Sequence, residues 1–179
     1  MLIEYLYFLA VGLSFSFTLW AAWSDFRSLT IPNWISVGIL LLFPLVIVTS
    51  PMAIQWYWSI AVFAAVLASG FLLFALKALG GGDVKLISVL SLWAGVDKVL
   101  PFLMATVLVG GVLVAIMFVN NVVRNKGKGG SYLISARETL SDKAPVPYGI
   151  AIAFGSFPIF YHYASLSGVF QSLFNLTGN

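Results

Sequence analysis

The chain has no cysteine and a single histidine, and only 8% of its 179 residues are charged. Without cysteine there is no disulfide framework, no thiolate zinc site and no thiol nucleophile. The scarcity of charge excludes an ordinary soluble domain: 61% of the residues are hydrophobic and the mean hydropathy is +1.03, far above globular composition. A basic N-terminal region is also missing. Glu4 stands where a signal peptide carries positive charge, and the apolar run behind it is as long as a full span. The first 23 residues therefore read as a retained transmembrane helix. The length suits one compact bundle over 1–179 with no second sizeable domain. In such a chain a net charge of +3 speaks of membrane topology and not of nucleic acid.

The few charges mark out the spans. Tyr5 to Ser24 is uncharged, and so is the whole stretch from Ser28 to Leu76. A span needs roughly 20 apolar residues, so the longer stretch holds two, split near Thr49-Ser50-Pro51. Helices are expected at about Asn33–Val48 and Ala53–Leu76. Val84 to Val96 is short for a span and crosses only where the bilayer thins or protein surrounds it. Pro101 to Val123 and Tyr148 to Leu166 complete an all-α membrane bundle of about six helices. With the N-terminus outside, the cytoplasmic segments hold Arg27, Lys77, Lys85, Arg124, Lys126, Lys128, Arg137 and Lys143, eight of the nine basic residues. Five of these lie in a basic loop over 124–146, which suits contact with anionic lipid. Removing the short fourth span would put that loop outside and destroy the bias, so the charge pattern itself argues for it.

This topology sets Asp25 and Asp83 on the same, cytoplasmic, face. Carboxylates at the edge of apolar spans are costly and point to function. Asp83 follows Gly80-Gly81-Gly82, a break that permits close backbone approach. Taken singly, each aspartate has a plain structural account: Asp83 as a helix N-cap, Asp25 as an interfacial partner of Arg27. Taken together, they suit acid/base chemistry on water. Two neighbouring carboxyls titrate separately, so one takes a proton from water while the other donates to a scissile carbonyl, as in aspartic proteases. No metal, cofactor or covalent intermediate is needed. His162 lies near the outer end of the last span, too far away to pair with either aspartate. Two other classes share such carboxylates, a small ion-coupled transporter and a non-catalytic membrane component of a secretion apparatus. No internal repeat of the transporter kind is visible.

Gly80-Gly81-Gly82-Asp83 followed by Lys85, the earlier Asp25 with Arg27 and Ile31-Pro32-Asn33, and the late Pro147-Tyr148-Gly149 together resemble the type IV prepilin peptidases. The small size looks most like the short branch that serves Flp-type pili; the archaeal preflagellin peptidases are also similar. The resemblance runs from the first span to the last. It implies a multi-pass aspartic endopeptidase of the bacterial inner membrane, which removes the short basic leader of a prepilin or pseudopilin just before its hydrophobic segment. Asp25 and Asp83 match the family's catalytic aspartates. Gly80, Gly82, Lys85, Arg27, Pro147, Tyr148 and Gly149 fall in the blocks around them. Longer relatives carry an extra cytoplasmic region, often with a four-cysteine metal site, linked to methylation of the mature pilin. Here only Phe26 to Asn33 joins the first two spans, which implies a peptidase without that zinc element or that activity.

Overall fold

The computed structural model describes residues 2–125 and 146–166. Most of the basic loop expected over 124–146, and the tail after Leu166, lie outside the described residues. The described residues are helical, with no strand among them: α1 (Leu2–Ser28), α2 (Asn33–Thr49), α3 (Trp56–Ala75), α4 (Gly81–Asn125) and α5 (Tyr148–Ser165). Three stretches are long and apolar enough to cross a membrane, Leu2–Ser28, Trp56–Ala75 and Gly81–Asn120.

The expected fourth and fifth spans are two helical limbs that meet at a kink, numbered together as α4. A single residue, Gly95, interrupts it with φ 58° and ψ −166°, a conformation open to glycine and strained for other residues. The neighbours of the two limbs show that the chain reverses there. Val84, near the start of α4, packs against Gly70 of α3, whereas Trp93 accepts a hydrogen bond from Tyr163 near the end of α5. Beyond Gly95, Thr106 packs on Gly155 in the middle of α5, and Gly110 on Tyr148 at its start. Limb 81–94 thus runs away from the α5 start and limb 96–125 returns toward it.

Inside a bilayer, apolar side chains gain little by leaving lipid for one another, so helices associate through close packing of small residues and interhelical hydrogen bonds. Both devices are present. Gly155 lets α5 settle onto α4: a Cβ there would lie 2.9 Å from the Thr106 backbone N and 3.1 Å from the Phe102 carbonyl oxygen. Gly38 receives the Phe17 ring in the same way between α2 and α1. The hydrogen bonds gather around Trp93. Its indole N–H donates to the Ile39 carbonyl at 3.2 Å, the Tyr163 hydroxyl donates to the Trp93 carbonyl at 2.9 Å, and the Tyr7 hydroxyl donates to the Tyr163 carbonyl at 3.1 Å. Phe43, Phe160 and Tyr163 set their rings against the same indole. This cluster ties α1, α2, α4 and α5 together at one end of the bundle. Next to it lies a cavity of about 510 Å³ that includes Asp97, Lys98 and His162 in its wall. By contrast α3 is peripheral, with only Ser59 and Gly70 buried.

Candidate active site

At the other end of the bundle α1 and α3 both stop in left-handed caps on residues other than glycine. Leu29 has φ 53° and donates its N–H to the Asp25 carbonyl at 2.8 Å, the single-bond cap that follows a helix end. Lys77 has φ 59°, donates to the Phe74 carbonyl, and is followed by Ala78 donating to the Leu73 carbonyl, both at 2.9 Å. That pair of bonds is a Schellman motif. Each left-handed residue costs roughly 1–2 kcal/mol relative to glycine. Strain of this kind is usually held where the surroundings need the turn. Here Leu29 lines the cavity that holds Asp25 and Asp83, and Lys77 lines the groove beside it.

That cavity has a volume of about 240 Å³ and is lined by Asp25, Leu29, Thr30, Ile31 and Asn33 on one side and by Gly80 to Asp83 on the other. Asp25, in the last turn of α1, is 6% exposed. Its Oδ2 accepts the backbone N–H of Gly149 at 2.7 Å. Pro147 is the N-cap of α5, so Gly149 lies in the first turn, where backbone N–H groups have no partner within the helix and the helix dipole favours negative charge. The approach is close enough to require glycine: a Cβ at residue 149 would lie 2.8 Å from the Asp25 Cβ.

Asp83 is held differently. Val84 donates to the Gly80 carbonyl at 3.1 Å, which makes Gly80 the N-cap of α4 and Asp83 the third helical residue. The structure thus corrects the plain reading of Asp83 as the N-cap itself. From the third position an acid can reach back toward the N-cap N–H, as in one half of a capping box. The Asp83 Oδ2 would lie 2.6 Å from a Cβ on residue 80. Gly82 meets Ile31 on the facing turn, where a Cβ would come within 3.2 Å of the Ile31 Cβ. The glycines therefore let two chain turns close on each other and leave the carboxyls facing the same space. Asp25 and Asp83 both line this cavity.

The other residues singled out in the sequence divide into two groups. Gly80, Gly82 and Gly149 touch the aspartates or their turns. Lys85 is exposed and donates through Nζ to the Asn33 Oδ1 at 2.8 Å, linking the first turns of α4 and α2 across the cavity wall. Tyr148 packs on Gly110 and lines a neighbouring groove. Arg27 is not brought to the cavity; its guanidinium sits 5.4 Å over the Trp23 ring, and Asp25 bonds to α5 instead. His162 lies in the wall of the cavity at the opposite end of the bundle. Leu29 and Leu79 were not legible as site residues, because nothing in a leucine signals a left-handed turn or a groove wall. Asn33 had a signal: Ile31-Pro32-Asn33 marked the turn.

Neither the curated proteins nor the solved structures contain a match to this chain. The model of the type IV leader peptidase family does match, over residues 12–115, a stretch that takes in both aspartates and the glycine turn before Asp83. The match covers more than half of the sequence, and the chain belongs to the type IV leader peptidase family.

Proposed function

We propose that this protein is an aspartic endopeptidase of the bacterial inner membrane, with its N-terminus outside, that removes the short basic leader from Flp-type prepilins at the cytoplasmic face. One observation carries the reading: carboxyls from α1 and α4, far apart in sequence, line a single cavity of about 240 Å³. A water molecule accounts for only about 30 Å³, which leaves room for a peptide group beside it.

In this reading Asp25 and Asp83 share the acid/base work. One carboxylate takes a proton from water as the oxygen attacks the scissile carbonyl, and the other carboxyl donates a proton to the carbonyl oxygen. The same proton exchange, run onward, delivers a proton to the departing amine as the C–N bond breaks. The Gly149 N–H fixes the position of Asp25, and the carboxyl of Asp83 lies close against Gly80. Holding catalytic groups within small tolerances supplies much of a rate enhancement. The substrate is the leader together with the hydrophobic helix that follows it, presented from the bilayer.

The test is leader removal from a co-expressed, tagged Flp-type prepilin, read as a gel shift, with wild type beside Asp83→Asn. Processing by wild type and not by the variant supports the proposal. Wild-type protein that sits in the membrane with the prepilin and leaves it uncut removes the support for that substrate. Full processing by Asp83→Asn rules out the two-aspartate mechanism.

A further inference from the structure

A second concavity adjoins the aspartates. It has a volume of about 530 Å³ and lies between the C-terminal turn of α3 and the start of α5, walled by Phe74, Ala75, Lys77, Leu79, Gly80 and Tyr148. Gly80 belongs to the walls of both this groove and the aspartate cavity. We propose that the groove seats the apolar side chain on the C-terminal side of the scissile bond and so selects the residue at which the mature pilin begins. This inference rests on the peptidase reading above.

Three observations fix the occupant. The first is continuity. Gly80 caps α4 and neighbours the Asp83 carboxyl, so a peptide whose carbonyl faces the aspartates has its next residue, about 3.8 Å further on, at the Gly80 wall. With no side chain on Gly80, the backbone of that peptide passes close. The second is charge. Among the described residues, Lys77 is the one charged residue in the groove wall, and it repels a basic leader. The sign of this lysine therefore assigns the groove to the apolar side of the bond and leaves the leader to the opposite side. The third is access. α3 is barely buried along its length, and Phe74 and Leu76 at its end are 48% and 69% exposed. A hydrophobic segment lying in the bilayer meets apolar side chains of α3 on its way to the groove. Phe74 also packs on Gly81, where a Cβ would lie 3.3 Å from its Cε2, so filling of the groove is felt directly at the turn before Asp83.

The experiment uses tagged prepilins that differ only in the first residue after the scissile bond, Phe or Ala, with wild-type enzyme and Ala75→Trp in membranes. The readout is the ratio of kcat/KM for the Phe substrate over the Ala substrate. Because it is taken within one variant, it does not depend on how much of that variant is folded. Small changes in apolar fit are worth about 10–200-fold in specificity, so the ratio should fall at least about tenfold in Ala75→Trp. An unchanged ratio overturns the inference. A cross-link gives a second reading, since the chain has no cysteine of its own. Ala75→Cys in the Asp83→Asn background should form a disulfide with a prepilin cysteine placed one or two residues after the bond, with diamide as oxidant. An adduct with a leader cysteine instead overturns the inference. If wild type cleaves no member of the series, the peptidase reading itself fails; if it cleaves all with a ratio indifferent to Ala75, only the groove assignment fails.

Discussion

Replacing Gly149 by alanine sets two effects of opposite sign against each other. Alanine is favoured over glycine within a helix by about 1 kcal/mol, so backbone propensity alone predicts a slightly more stable protein. The contact geometry predicts the reverse. The new Cβ would stand 2.8 Å from the Asp25 Cβ, 3.2 Å from its Cγ and 3.0 Å from its Oδ2, against at least 3.4 Å for ordinary contact. The shortfall is about 0.6 Å at the Asp25 Cβ, an atom anchored to its helix and unable to swing aside. Either α1 and α5 move apart or the Gly149 N–H to Asp25 hydrogen bond of 2.7 Å is lost. Overpacking of this kind costs roughly 1–3 kcal/mol, and a hydrogen bond to a charged group contributes about 1.5–3 kcal/mol. The clash therefore outweighs the propensity, and after the gain of about 1 kcal/mol is set against it Gly149→Ala should be less stable by up to about 2 kcal/mol. Activity should suffer more than stability, since a displacement near 1 Å at a catalytic group lowers rates by about 100-fold. Thermal unfolding in detergent and the rate of leader removal in membranes measure the two effects. Wild-type activity together with raised stability would refute the close approach of α5 to Asp25.

Asp25→Asn keeps an oxygen that can accept the Gly149 N–H, so the protein should still insert and unfold near the wild-type temperature while leader removal falls by about 10²–10⁴-fold, the usual share of one acid/base group. Leu29→Gly relieves a left-handed leucine and should raise stability by about 1 kcal/mol, seen as a melting temperature higher by roughly 2–4 °C; a lower one would show that the leucine side chain outweighs the backbone strain. Lys85→Ala loses the hydrogen bond to Asn33, an exposed contact worth about 1 kcal/mol, and should slow processing by less than about tenfold. Arg27→Ala loses, among the described residues, its place over the Trp23 ring, about 0.5–1 kcal/mol at an exposed site, and should leave the rate closer to wild type than Lys85→Ala does; the reverse order in a side-by-side time course would contradict the placement of Arg27.

The charge pattern foretold a good part of this arrangement. Charges are excluded from hydrocarbon, so their positions along the chain bracket the apolar helices, and a shared face for Asp25 and Asp83 follows from the bias of the basic residues. The helix limits expected for the second span differ by one residue from Asn33–Thr49, whereas α3 begins later than expected, at Trp56, because composition does not separate a helix start from an apolar approach to it. Between the expected spans Val84–Val96 and Pro101–Val123 one glycine with φ 58° makes the reversal, and a lone Gly inside a run of helix formers carries no sign of its φ. The Gly149 contact was hidden for another reason. Closeness between residues 124 positions apart is a property of packing, and Pro147-Tyr148-Gly149 alone reads equally well as a helix start. The groove beside Gly80 was likewise beyond a one-dimensional reading, because its walls come from the ends of two helices.

The capping geometry of Asp83 turns a sequence spacing into an angle. Successive residues of an α-helix are rotated by about 100° from one another, and Gly80 is where the α4 ladder begins. Adding one residue between Gly80 and Asp83 would swing the carboxyl by about 100° away from the cavity and out of reach of the cap. One extra residue between Lys77 and Gly80 would lengthen only the connection and leave that angle as it is. The number of residues from the cap to the acid is thus a rotational setting of the helix, while the length of chain ahead of the cap is free to vary.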